Sequence, residues 1–335
     1  MQAIVWQGPE RMTVEERPEP GPPGAGEVIV RPSAVGICGS EVEGYLGHMG
    51  NRTPPLVMGH EFAGVVVAVG EGAGRWEGAR VAVNPLLGCG RCRLCEAGKE
   101  NLCPERTLIG VHHDGAFADL VPAPAANVRA LPDGMAARTG ALVEPLANGV
   151  HAVRLGLAGG PVRRAVVLGA GTIGLMTLQA ALLSGIEHVA VLEPQDQRRE
   201  RALALGAHEV HAAAEEVPGD ADLTLDAVGA QATRRLALEL LAPGARAVYV
   251  GLAADDTTLG FHHVVRGQLT LQGSYAYTMA DFEQALEWLA GERVSVGELA
   301  AVRPLSDGPE AFARLAAGPP PAEVKMFLAG AGREA

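Results

Sequence analysis

The run Ala165-Val-Val-Leu-Gly169-Ala-Gly171-Thr-Ile-Gly174 decides how the second half of this chain folds. Its four leading apolar residues read as a short buried strand, and Ile173–Ser184 reads as a helix. Between them lies a Gly-x-Gly-x-x-Gly turn. Glycines there let the backbone approach a pyrophosphate closely, and the helix that follows presents its positive N-terminal dipole. Glu193 ends the next strand-like run, nineteen residues after Gly174. A carboxylate at that place bonds the adenosine ribose hydroxyls and repels a 2′-phosphate, which favours NAD. The nucleotide-binding expectation therefore falls on Gly169, Gly171, Thr172, Ile173, Gly174 and Glu193. Arg198 and Arg199 follow, either as a solvated pair opening a helix or, with Arg198 foremost, as the holder of a 2′-phosphate.

Working outward, strand-like runs at Ala165–Leu168, His188–Leu192, Glu209–His211, Asp222–Asp226, Ala245–Val250 and Gln268–Gln272 alternate with helical stretches at Ile173–Ser184, Asp196–Leu205 and Ala230–Leu241. That alternation implies βαβ units and a parallel, doubly wound α/β sheet. Six strands suit two mononucleotide-binding halves. Before about Asn148 the pattern is different: short β-like runs (Glu27–Arg31, Glu61–Val69, Ala79–Val83, Phe117–Val121) are broken by Gly and Pro, as in a barrel-like β domain. After Gly273 come one amphipathic helix, Ala280–Ala290, Gly/Pro-rich turns and a last apolar run, Lys325–Leu328. A tail so short returns to complete the first domain. The expected division is 1–148 with 274–335, around 149–273.

The length of 335 residues suits two domains, and 48% apolar with 20% charged residues describes a globular protein. Mean hydropathy is +0.14. Net charge is −12, with no basic run longer than two residues, so nucleic acid and anionic membranes are poor partners. Ala165–Ile186 carries no charge over a length that could span a bilayer, but glycines open it and a strand–turn–helix accounts for all of it. No basic-then-apolar leader precedes the charged and Pro-rich start, so the cytoplasm is the expected location. Of 27 basic residues only Lys99 and Lys325 are lysine.

Four of the five cysteines, Cys89, Cys92, Cys95 and Cys103, lie within fifteen positions. Two-residue gaps let neighbouring thiolates reach one ion, and four thiolates close a tetrahedral zinc site with no open position: a staple rather than a reaction centre. Cys38 stands alone in Gly36-Ile-Cys-Gly-Ser40. It is either a small core residue or, with His60 and Glu144, part of an open zinc site, since Cys, His and Glu are the ligand types such sites use. Glu144 lies in an apolar segment, where a buried carboxylate needs a partner.

Taken together, the Gly-Ile-Cys38-Gly-Ser turn, Gly59-His60-Glu61, the four-cysteine lobe, Asp114-Gly-Ala-Phe117-Ala, Glu144-Pro145-Leu, the glycine turn and Asp226-Ala-Val-Gly229 resemble the zinc-dependent medium-chain alcohol/polyol dehydrogenases over essentially the whole chain. The resemblance implies a GroES-like catalytic domain and a Rossmann domain, with NAD and two zinc ions per chain. It implies catalytic-zinc ligands Cys38, His60 and Glu144, with Glu61 able to approach or replace one of them. Ser40 matches the hydroxyl that relays the substrate proton, and Glu41 matches an acidic residue that orients the ligand His. Where many members carry His three residues after that Ser, this chain has Glu43, either a relay substitute or a solvated carboxylate. The Glu144-Pro-Leu form is similar to members acting on polyols, sugar acids and secondary alcohols. The expected reaction is oxidation of a secondary alcohol to a ketone by a homodimer or homotetramer. Alternatives are a sugar-acid or threonine-type dehydrogenase of the same fold, or a non-catalytic NAD(H)-binding protein of crystallin or sensor type.

Overall fold

A computed structural model describes residues 1–295, 301–318 and 325–330. Residues 296–300, 319–324 and 331–335, which the expected catalytic domain includes, lie outside the described residues. The chain divides into two compact units.

The first comprises Met1–Glu144, Leu286–Glu292 and the described part of the tail. Its main sheet runs Val128–Ala130, Arg80–Val83, Glu61–Val69, Glu27–Gly36, Phe327–Ala329, Val302–Pro304, with Val121–Pro124 also on Glu27–Gly36. A second sheet joins Arg11–Glu16, Gln2–Gly8 and Leu56–Val57. The core gathers Ile4, Val28, Val30, Phe62, Phe117 and Phe312, all at most 1% exposed. The Glu27–Gly36 and Glu61–Val69 strands pair antiparallel, and their register sets Gly36 opposite Glu61. That pairing brings the ends of two motifs, 25 residues apart in sequence, to one place.

The expected strand at Phe117–Val121 begins only at Val121. Phe117 donates its N–H to the Met58 carbonyl while its own carbonyl accepts from Ile4, and the Asp119 side chain takes the Gln2 N–H. The segment is extended but bonded alternately to two neighbours, so it forms no continuous ladder. The two longest helices not legible in the sequence pattern are Val143–Leu157 and Gly308–Ala317. Val143–Leu157 carries Pro145 in its first turn, where the missing N–H would have had no helical partner. Gly308–Ala317, expected as turns, likewise holds Pro309 at its start.

The second unit comprises Pro145–Ala285 and Arg293–Ser295. Its six-stranded sheet is parallel throughout, in the spatial order Glu209–His211, His188–Leu192, Arg164–Leu168, Ala221–Asp226, Leu241–Tyr249, Thr270–Gly273. In chain order that is third, second, first, fourth, fifth, sixth, the doubly wound dinucleotide-binding arrangement. The central strand is buried from Ala165 to Leu168, which explains its continuous apolar reading. The helix Thr172–Leu183 is buried from Gly174 to Ala181 on every face. No helix among the described residues is long and apolar enough to cross a membrane.

Candidate metal centres and nucleotide loop

The sulfur atoms of Cys89, Cys92, Cys95 and Cys103 all lie within 4.8 Å of one another. Tetrahedral zinc with Zn–S bonds of about 2.3 Å sets sulfurs about 3.8 Å apart, within the reach of this set. The loop is already shaped for thiolates. Cys92 caps the short helix Arg93–Glu96 and its sulfur accepts from the Cys95 N–H at 3.5 Å; the Cys103 sulfur accepts from the Cys89 N–H at 3.4 Å. The Arg91 N–H, aimed at Cys89, lowers that thiol to about 7, whereas burial pushes Cys95 up to about 12. Four thiols at this spacing ionise together only around a cation, which is what the donor set fits.

The second group is Cys38, His60 and Glu61, again with ligand atoms within 4.8 Å. Cys38 follows the Glu27–Gly36 strand and caps the helix Gly39–Tyr45. Glu41, in that helix's first turn, is fully buried and ties three pieces together. One oxygen accepts the Cys38 N–H at 3.0 Å; the other accepts the Gly59 N–H and the His60 Nδ1, both at 2.8 Å. Burial opposes the Glu41 charge, but His60, the Cys38 N–H and Arg52 together outweigh it and hold the carboxyl below its usual range. An ionised carboxylate only accepts, so Nδ1 carries a hydrogen and Nε2 is the nitrogen turned to a metal, which on binding displaces any proton held there. Burial also opposes protonation of His60, yet the Glu41 and Cys38 charges outweigh it and hold the imidazole well above its ordinary value. Gly59 adopts φ +106, and a Cβ there would lie 2.6 Å from the Phe117 nitrogen, so glycine alone lets the chain turn His60 inward.

Glu61 is met by a residue that sequence reasoning did not connect to the site. The Lys325 Nζ lies 2.8 Å from Oε1 and 2.6 Å from Oε2 of Glu61 and donates to the Ile37 carbonyl at 3.1 Å. Both side chains are buried, at 3% and 1% exposure. Burial disfavours the ammonium, but Glu61 and Cys38 outweigh it and raise the Lys325 pKa. Its only sequence signal was rarity, one of two lysines in an arginine-rich chain.

Ser40 and Arg52 complete this neighbourhood. The Ser40 hydroxyl donates to the Cys38 sulfur at 3.4 Å and accepts from Arg52 Nη2 at 3.4 Å. Glu43 lies elsewhere: exposed, it pairs with the exposed His48 at 2.8 Å. Glu144 is buried in the first turn of the Val143–Leu157 helix and stands outside the mutually close set of Cys38, His60 and Glu61.

In the second unit, Gly169 takes φ +91, where a side chain would also meet Val228, and a Cβ on Gly174 would collide with the Gly169 carbonyl. The helix starts at Thr172 with Gly171 as its cap, followed by Ile173. Glu193 is buried with both oxygens engaged, one by the Ala170 N–H at 2.9 Å and one by the Gln195 N–H at 3.0 Å. The glycine turn itself therefore holds the carboxylate in place. Arg198 leans on it at 3.8 Å, while Arg199 donates to the Glu193 carbonyl at 2.7 Å and pairs with Asp196. At the end of the neighbouring strand, Asp226 accepts the Val228 and Gly229 N–H groups at 3.0 and 2.9 Å, and Gly229 packs so closely on Gly251 that a side chain would collide.

Comparisons with known proteins agree with this chemistry. Residues 24–133 match the alcohol dehydrogenase GroES-like domain, and residues 172–291 match a zinc-binding dehydrogenase domain. The chain is 34% identical over 310 residues to 2-dehydro-3-deoxy-L-galactonate 5-dehydrogenase of Pseudoalteromonas atlantica, covering 89% of this chain and 90% of that protein. The structure of galactitol-1-phosphate dehydrogenase from Escherichia coli superposes with a TM-score of 0.88 at 29% identity, covering 98% of this chain and all of that one. An alcohol dehydrogenase from E. coli CFT073, solved with NADH, superposes with a TM-score of 0.89 at 29% identity over 98% and 99% of the two chains.

Proposed function

The chain belongs to the zinc-dependent medium-chain dehydrogenases, oxidoreductases of CH–OH groups, and from that premise we propose that it oxidises a secondary alcohol of a polyol or sugar acid to the ketone, with NAD as hydride acceptor. The observation that carries this reading is the convergence of Cys38, His60 and Glu61 beside the Ser40 hydroxyl. Zinc supplies a Lewis acid there, which makes a neighbouring hydroxyl easier to deprotonate. Cys38 and His60 hold the ion, with Glu61 or Glu144 as the third protein ligand. Glu41 keeps His60 in the tautomer that ligates. Ser40 receives the alcohol proton. Cys89, Cys92, Cys95 and Cys103 hold a second, structural zinc.

Gly169 to Gly174, with Thr172 and Ile173, receive the pyrophosphate. Glu193, fixed by two backbone N–H groups, binds the ribose hydroxyls and excludes a 2′-phosphate. Arg198 and Arg199 are turned onto Glu193 and its backbone, which supports NAD over NADP. We assign catalysis to 1–148 with 274–335 and nucleotide binding to 149–273, with 145–148 and 274–285 packed in the second compact unit.

The protein works as a homodimer or homotetramer. Thr270–Gly273 is an edge strand of the parallel sheet, and Leu252, Phe261 and Val265 in the preceding segment are 67%, 64% and 72% exposed. A cytoplasmic location fits five unpaired thiols.

The test is an initial-rate screen of polyols, sugar acids and amino alcohols with NAD and with NADP, following reduced nicotinamide. Turnover of a polyol or sugar acid with NAD is expected. Zinc-replete protein that oxidises none of them, or that prefers an amino alcohol, contradicts the substrate class.

A further inference from the structure

Arg52 is the buried charge near Ser40 that the reaction scheme above leaves unused. It sits on the loop after the Gly39–Tyr45 helix, only 6% exposed. Nη1 donates to Asn51 Oδ1 at 3.2 Å and Nη2 to Ser40 Oγ at 3.4 Å. Room for it comes from Gly44, where a Cβ would lie 2.9 Å from Arg52 Cδ. Its charge also reaches Glu41 and His112, lowering the pKa of both. Meanwhile Glu43 is turned to His48 in solvent.

A guanidinium has five donors and no acceptor. Whatever bonds Arg52 must therefore present a lone pair to it. The Ser40 hydroxyl has one hydrogen and two lone pairs. With one lone pair on Arg52 and the hydrogen on the Cys38 sulfur, a single lone pair remains to receive a hydrogen bond.

We propose that Arg52 is a positioning residue: by donating to the Ser40 oxygen it fixes the serine rotamer beside Cys38 and reserves the last lone pair for the substrate hydroxyl. This rests on the reading of Ser40 as proton acceptor. In the proton step, the substrate O–H bond breaks and its proton bonds to the Ser40 oxygen, while the hydrogen that Ser40 had turned to the Cys38 sulfur swings to the part-exposed side, leaves the oxygen and bonds to a water, so that Ser40 ends as a neutral hydroxyl. Arg52 gains and loses no proton.

The experiment combines kinetics with crystallography. Arg52→Met and Arg52→Lys are made in the wild type and in Ser40→Ala, each loaded with zinc. A misplaced catalytic group can cost on the order of 10²-fold, so Arg52→Met should lower kcat roughly 10–10²-fold with KM little changed. Arg52→Lys, which keeps a cationic donor, should recover part of that loss. In the Ser40→Ala background Arg52→Met should have almost no further effect, since the group it positions is gone. An equal loss in both backgrounds, or an unchanged kcat, overturns the proposal. Crystal structures of wild type and Arg52→Met decide it independently of turnover: Ser40 Oγ should leave the Cys38 sulfur in the variant, and an unmoved Ser40 overturns the proposal. If Arg52→Met does not fold, Arg52→Gln carries the same comparison. A wild type that oxidises no alcohol would defeat the functional reading, while the crystallographic arm still decides the role of Arg52.

Discussion

Replacing Lys325 by Met should be among the most damaging single changes in the first unit. The ammonium lies 2.6–2.8 Å from the two Glu61 oxygens, and both groups are almost wholly buried. At an effective dielectric constant of about 20, opposite charges at that distance attract by about 6 kcal/mol. Desolvating two ions consumes most of this, so the intact pair adds little net stability. Removing one member is different. Met fills a similar volume but leaves Glu61 buried with neither its counter-charge nor that donor, at a cost of about 3–5 kcal/mol. Adding Glu61→Gln removes the stranded charge and should restore most of the loss. The assay is urea unfolding of metal-stripped wild type, Lys325→Met, Glu61→Gln and the double variant, taking midpoints at unchanged slope. Zinc should then stabilise Lys325→Met more than wild type, because the ion supplies the missing positive charge. A Lys325→Met loss below about 1 kcal/mol, or a double variant no better than the single one, would refute the argument.

Three further outcomes are expected. Glu193→Ser should narrow the preference for NAD over NADP by roughly 10–10²-fold in the ratio of kcat/KM values, since it deletes a charged hydrogen bond and a repulsion together; a wild type already favouring NADP would show that Arg198 governs the choice. Asp281 accepts from His151 and Thr278 and forms a two-pronged pair with Arg154, and these contacts outweigh its burial and hold its carboxyl far below the usual range. The stability it adds is therefore present above its unfolded pKa of about 3.9 and is lost as pH falls further, so wild-type and Asp281→Asn unfolding curves should converge in acid and diverge at neutral pH; a gap independent of pH would show that the pairing is not ionic. Cys95→Ser should release one zinc and lower thermal stability, because a closed thiolate site contributes folding energy; unchanged metal content would remove the four-cysteine site.

Local signals carried most of the fold. The parallel sheet was legible because its inner strands are short buried runs that alternate with helices, and the strands from His188 to Leu192 and from Glu209 to His211 fall where the pattern set them. The four cysteines were legible because their spacing is itself the ligand geometry. Contacts between distant segments were not. Lys325 meets Glu61 across 264 positions, and no periodicity announces a lysine whose partner comes from the other end of the chain. Arg52 was hidden for a related reason: a charged residue in a Pro-rich loop reads as solvated, and only Gly44 reveals that the helix leaves it a slot. The helix Gly308–Ala317 was missed because proline punctuates turns and also opens helices. Glu144 was singled out as a carboxylate in an apolar segment, whereas the mutual approach of Glu61 to Cys38 and His60 depends on strand pairing and was not legible as spacing.

The central claim, an open zinc site at Cys38 serving NAD-dependent oxidation, is tested most directly by measuring zinc content and turnover on the same samples of wild type and Cys38→Ser. The account predicts two zinc ions per chain and NAD reduction in the wild type, and one zinc ion, an intact fold and no turnover in the variant. Turnover that survives in Cys38→Ser, or active wild type holding one zinc ion or none, would contradict it.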